Sequence, residues 1–162
     1  MTRIAIDAMG GDHAPHEIVA GAVWAAYEYN VPIELVGKTE DIQRELDKIK
    51  HNGFISDCGQ KGSKKRIMVD TSKLDIKITH ADEVIEMGEH PGQAIRKKKN
   101  SSIVLGVKAV ADGSSDAIVA AGSTGAAMAF MSFSSSRKSS RYASVAAIKS
   151  LCMVSVASVL VL

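Results

Sequence analysis

The amino-acid sequence predicts an α/β fold: a mostly parallel β-sheet with helices covering its faces. Three observations carry that expectation. Short apolar runs of strand length alternate with segments of helical period from the first residues onward, the connections between them are short, and two strand-to-helix turns are rich in glycine. In order, Ile4, Ala5 and Ile6 form a buried-strand signal that ends in Asp7-Ala8-Met9-Gly10-Gly11-Asp12-His13-Ala14-Pro15. Residues 16–29 then read as a helix. Ile18, Ala22, Ala25 and Ala26 recur at helical spacing, Pro15 suits the first turn, and Asp12 is a candidate cap. Residues 32–36 read as a second strand. Thr39-Glu40-Asp41 opens a second helix with a capping hydroxyl and two carboxylates at the positive dipole end. Ile42, Leu46 and Ile49 line one face of that helix, and His51-Asn52-Gly53 ends it.

The middle of the chain has weaker signals. Residues 58–66 read as a basic loop, with short strands over 66–69 and 76–79. Further on, residues 91–99 and 101–111 predict two helices, the second capped by Ser101 or Ser102 and stopped by Gly113. Residues 117–121 form a buried-strand pattern that runs into Gly122-Ser123-Thr124-Gly125, with another helix starting over 126–130.

Composition narrows the function. The chain has 162 residues, 20 Lys plus Arg and 18 Asp plus Glu, for a formal net charge of +2. This balance, with one Trp, three Tyr and three Phe for stacking, argues against nucleic-acid binding. Cys58 and Cys152 form no Cys-x-x-Cys pattern, so the expectation is a reducing cytoplasm without a disulfide framework or zinc site. The N-terminus does not resemble a signal peptide, and the apolar run over 151–162 is too short to span a bilayer. The near-neutral total conceals an asymmetry. All 18 acidic residues lie at or before Asp116, while ten of the serines follow Phe130 and eight precede it.

Three groups of residues point to chemistry. The glycine turns at 7–12 and 121–126 let the backbone approach a ligand, and each precedes a helix whose N-terminal amides attract anions. In a parallel sheet both turns lie at the carboxyl edge, where such folds bind ligands. Neither matches the P-loop or Gly-x-Gly-x-x-Gly, and Ser123 is not in a Gly-x-Ser-x-Gly elbow. The second group is Arg96-Lys97-Lys98-Lys99, whose ordinary reading is a solvated helix face and whose sharper reading turns one or two cations toward phosphate or an acidic partner. The third is Asp7, Asp12, His13 and His16. These are metal-ligand types, but the two imidazoles straddle Pro15, so capping, turn formation and ligand orientation are the expected roles. His51 and His80 read as ordinary element-end residues.

Three segments appear in a specific order: Ile6-Asp7-Ala8-Met9-Gly10-Gly11-Asp12; then Glu86-Met87-Gly88-Glu89-His90-Pro91 with Ala94-Ile95-Arg96-Lys97-Lys98 and Ser101-Ser102; then Ala121-Gly122-Ser123-Thr124-Gly125-Ala126. Together they closely resemble the bacterial phosphate acyltransferase family of phospholipid synthesis, over residues 1–130. The resemblance implies a three-layer α/β/α, mostly parallel sheet of the isocitrate/isopropylmalate-dehydrogenase-like type, incomplete in this chain. It implies formation of acyl phosphate from acyl-acyl-carrier-protein and inorganic phosphate, with no metal or organic cofactor. It also implies partnership with acyl carrier protein, a homodimer, and a cytoplasmic enzyme that associates peripherally with the membrane. Carried onto this chain, Asp7, Arg96 and Ser123 take the catalytic places, and Gly10, Gly11, Asp12, His13, Lys98, Gly122, Thr124 and Gly125 bind phosphate. Arg96 counters the phosphate charge, Asp7 or Asp12 orients neighbouring groups or acts as base if its pKa is raised, and Lys97 to Lys99 meet the acidic carrier.

The chain departs from the family pattern at Ser123, where many members carry Asn, and more widely over residues 131–162. There the loss of acidic residues, the serine enrichment and the lost periodicity mark a divergent tail, read either as a frameshift or truncation or as a genuine lineage-specific tail.

Overall fold

The structure, a computed structural model, describes residues 2–56, 65–86, 88–122 and 158–160. The elements are β1 (Ile4–Asp7), α1 (His16–Tyr29), β2 (Ile33–Gly37), α2 (Thr39–Asn52), β3 (Phe54–Ser56), β4 (Lys65–Ile67), a 3-10 turn (Thr71–Lys73), β5 (Ile76–His80), α3 (Pro91–Lys97), α4 (Ser102–Ala111), β6 (Ala117–Ala120) and β7 (Ser158–Leu160).

The main sheet has the order β5-β2-β1-β6-β7. Its first four strands are parallel, and β7 runs antiparallel along β6 with Ala120 opposite Ser158. Side chains alternate across a strand, so the register sorts the faces. Ala5, Asp7, Glu34, Val36, Ile118 and Ala120 share one face, and Ile4, Ile6, Ile33, Leu35 and Val119 share the other. On the first face Ala5 and Ile118 pack against Val107 and Val110 of α4. On the second, Ile33 and Leu35 pack against Val19 and Val23 of α1 and Ile42 and Leu46 of α2. The result is the expected α/β arrangement, a mostly parallel sheet between helical layers.

Helix α1 is turned relative to the sequence expectation. Val19, Ala22, Val23 and Ala26 are the buried residues, while Ile18 and Ala25 are half-buried at its side. The larger β-branched pair reaches the sheet and the small residues flank it. Capping also differs. Pro15 is the N-cap of α1 without a side-chain cap bond, so Asp12 does not cap this helix. Lys38, not Thr39, is the N-cap of α2. The Thr39 hydroxyl lies 2.9 Å from Nδ1 of His80, and the Thr39 backbone N–H donates to the same nitrogen at 3.4 Å. The imidazole from β5 thus serves the first turn of α2, and its Nε2 lies 2.7 Å from Oδ1 of Asp82.

The 58–66 region differs in part from the loop expectation. Strands β3 and β4 form an antiparallel pair, Phe54 opposite Ile67, and residues 57–64 lie outside the described residues. Helix α3 stops at Lys97, two residues earlier than its pattern predicts, because Lys98 leaves helical geometry at φ −100° and ψ 71°. Among the described residues, no helix is long and apolar enough to cross a membrane.

Two polar ties complete the framework. Glu45, buried on α2, binds Nδ1 of His16 at 2.8 Å and Nζ of Lys48 at 2.7 Å, joining the start of α1 to α2. Glu34, buried within β2, accepts hydrogen bonds from Lys77 (2.9 Å), Thr79 (2.6 Å) and Ser115 (2.7 Å), which ties β5 and the approach to β6 to the sheet centre.

Candidate functional site

β1 and β6 are neighbours and run in the same direction, so the glycine turns that leave them meet at one point of the carboxyl edge. The approach is too close for side chains. A Cβ on Gly10 would stand 2.7 Å from Oδ2 of Asp7 and 2.9 Å from the backbone nitrogen of Gly122. A Cβ on Gly122 would stand 2.8 Å from Cα of Gly10. Gly11 adopts φ +104°, a left-handed conformation that favours glycine, and faces the carbonyl of Ala121. Two turns, more than a hundred residues apart in sequence, thus form one bare backbone surface.

Asp7 ends β1 beneath that surface, 3% exposed. Burial pushes its carboxyl above the ordinary aspartate value of 3.8. The Ser102 hydroxyl and the backbone N–H groups of Met9 and Gly10 bind the carboxyl and pull the other way, but desolvation outweighs them. The Met9 bond to Oδ1 measures 3.1 Å. Ser102 is the first residue of α4 and Ser101 its N-cap, so this helix aims its positive dipole end at the Asp7 corner. Ser101 is 0% exposed, and among the described residues its Oγ has no hydrogen-bond partner. The close-packed backbone at Gly11 and Gly122, a helix N-terminus and a buried acid together suit a tetrahedral oxyanion.

The structure brings Asp7, Gly10, Gly11 and Gly122 together as expected from the turns. Asp12 and His13 are in the same turn but exposed, and the His13 carbonyl accepts the Glu17 backbone N–H at 3.2 Å. Arg96 is on α3, whose Ala94 and Ile95 pack against Ile103 and Val104 of α4 and Ala120 of β6, so its helix is anchored beside the same edge. The Lys98 ammonium donates to the Val84 carbonyl at 2.8 Å and pairs with Glu89, an interaction that holds the Glu89 carboxyl below its usual range. Ser123, Thr124 and Gly125 lie outside the described residues. The described residues contain no group of three or more His, Cys, Asp or Glu arranged to hold a metal.

Sequence reasoning assigned Ser101 and Ser102 only a capping role. Neither hydroxyl caps the helix; Ser102 instead binds Asp7. The available signal was the hydroxyl pair at a helix start, but the partner is 95 residues away and only the fold reveals it.

Fold and site together define an α/β protein with a candidate anion seat at the carboxyl edge of its sheet. The chain belongs to the family described as fatty acid synthesis protein, which matches residues 2–141. It is 51% identical over 129 residues to the phosphate acyltransferase of Desulforamulus reducens, covering 80% of this chain and 32% of that protein. It is 48% identical over 127 residues to the phosphate acyltransferase of Pelotomaculum thermopropionicum, covering 78% of this chain and 31% of that protein. The corresponding figures for the Bacillus cereus phosphate acyltransferase are 44% over 128 residues, 78% and 32%. The chain spans about a third of the length of the curated relatives it matches.

Proposed function

We propose that this chain carries the phosphate-handling part of an acyltransferase that forms acyl phosphate from acyl-acyl-carrier-protein and inorganic phosphate. The observation behind this reading is the meeting of the Gly10 and Gly122 backbones over Asp7 at the start of α4. The names of the relatives supply the reaction class.

In this reaction a phosphate oxygen attacks the thioester carbonyl. A C–O bond forms, the C–S bond breaks, and the thiolate leaves with a proton. No protein nucleophile is required. The site must gather the phosphate charge and stabilise the oxyanion that develops on the carbonyl, which backbone amides and one cation achieve. Burial raises the pKa of Asp7, which makes its carboxyl easier to protonate beside a phosphate than an exposed aspartate would be. Arg96 supplies the countercharge, and by the family resemblance Ser123 acts in catalysis while Thr124 and Gly125 bind phosphate. Lys97 and Lys99 receive the acidic carrier protein. We extend the proposal to a cytoplasmic homodimer that touches the membrane peripherally.

The direct test is acyl phosphate formation by this chain beside the Desulforamulus reducens relative. Turnover by both establishes the activity here. Binding without turnover makes this chain a phosphate-binding, non-catalytic unit. Phosphate, but not nucleotide, is expected to raise the unfolding temperature. Arg96→Ala is expected to weaken that phosphate response roughly tenfold, the effect of losing about 1.4 kcal/mol. An unchanged phosphate affinity would remove Arg96 from the site.

A further inference from the structure

An apolar groove of about 360 Å³ lies between α1 and the β1–β6 part of the sheet, on the face opposite α4. Ile18, Gly21 and Ala25 of α1 form one wall, and Ile6, Val119 and Ala121 form the other. Its volume falls within the range of small-molecule sites, roughly 300–1,000 Å³.

The course of the groove matters more than its size. Helix α1 starts at the carboxyl edge, after the first glycine turn, and ends at the amino edge before β2. Glu17 and Ala121 therefore mark the end beside the anion seat, and Tyr29 marks the far end. The near end lies beside the seat, since Ala121 lines the groove and the next residue, Gly122, stands against Gly10. An apolar groove that follows α1 from Glu17 to Tyr29 and begins beside an anion seat matches a linear acyl chain whose carbonyl end reacts there.

We propose that this groove holds the acyl chain of the thioester substrate, with the chain lying along α1 and its carbonyl at the Gly11–Ala121 end. The inference rests on the acyl-transfer reading and assigns it a second subsite. Gly21 makes the assignment testable. A Cβ there meets no atom within 4 Å, so a larger side chain occupies open space without striking the fold. Replacing an interior helical glycine also favours the helix.

The experiment measures binding of octanoyl, decanoyl and dodecanoyl thioesters of N-acetylcysteamine to the full chain by calorimetry. These probes are neutral, so Glu17 does not repel them. Affinity is expected to rise roughly fourfold per added methylene until the groove is filled. Gly21→Phe is expected to flatten that rise while leaving the phosphate-induced rise in unfolding temperature intact. Gly21→Leu is the milder second variant, with a smaller flattening expected. If affinity does not depend on chain length, or if both variants bind every thioester as the parent does, the groove is not the acyl subsite. A parent chain that responds to phosphate but shows no chain-length dependence overturns this inference alone. Loss of the phosphate response as well overturns the reading beneath it.

Discussion

Asp7 and Glu34 are both buried carboxylates on the α4 face of the sheet, yet their surroundings push them in opposite directions. Burial dominates at Asp7 and raises its pKa. A raised folded-state value contributes stability that is present below the ordinary 3.8 and is lost as pH rises through the folded value. At Glu34 burial also opposes ionisation, but the donors Thr79, Lys77 and Ser115 outweigh it and lower the pKa from 4.5. That contribution is present above 4.5 and is lost as pH falls through the lowered value. Asp7→Asn is therefore expected to reduce the fall in stability on the alkaline side, and Glu34→Gln the fall on the acid side. Urea unfolding across pH checks both, and a profile unchanged by either substitution contradicts the assignment. Gly10→Ala places a methyl group where Asp7 and Gly122 already stand, and overpacking of this kind costs about 1–3 kcal/mol. The phosphate response should disappear with it.

At the scale of elements, the termini of the helices are where sequence reasoning and structure part. Ile42, Leu46 and Ile49 of α2 were legible from their period and are buried as expected. The partner of its first turn was not, because His80 is 41 residues away and arrives only through the β2–β5 pairing. His80→Ala is expected to cost about 1 kcal/mol, the usual effect of a lost helix cap, in thermal unfolding. Ser115, just before β6, is a second such element-level contact. Ser115→Ala removes one of three donors to Glu34 in a buried setting, and a loss of about 1–3 kcal/mol is expected. Helix α1 illustrates a subtler difference. Its apolar residues cover more than one side, so periodicity admitted several faces, and packing selected the Val19–Val23 side. The side left over, Ile18 to Ala25, borders the groove.

For the whole molecule, the strand order decides what the site contains. A chain that goes from β1 to β2 to β5 and returns to place β6 on the other side of β1 brings Gly122 to Gly10. The same return crosses the opposite face through α4 and delivers Ser102 to Asp7. A doubly wound parallel sheet binds ligands where the direction of strand addition reverses, which here is the β1–β6 boundary. Phosphate protection is therefore expected to be concentrated there. In hydrogen exchange, amides at the ends of β1 and β6 and the start of α4 should slow on addition of phosphate, while those of β3 and β4 should not. Uniform slowing, or none, would separate the ligand from this boundary.

Local interactions were readable from the residues alone. Alternating strand and helix periods specify an α/β chain, and glycine turns after two strands mark its carboxyl edge, because propensity and periodicity act within a few neighbouring residues. Long-range proximity was not. Which turns touch, which carboxylate loses its water, which serine reaches an aspartate and which side of α1 borders the groove depend on strand order and packing. Those are set by burying the apolar faces of distant segments against one another. Sequence thus determined the kinds of parts in this protein, and the tertiary structure decided that Asp7, Gly10, Gly122 and Ser102 share one corner, since only folding brings residues so far apart into contact.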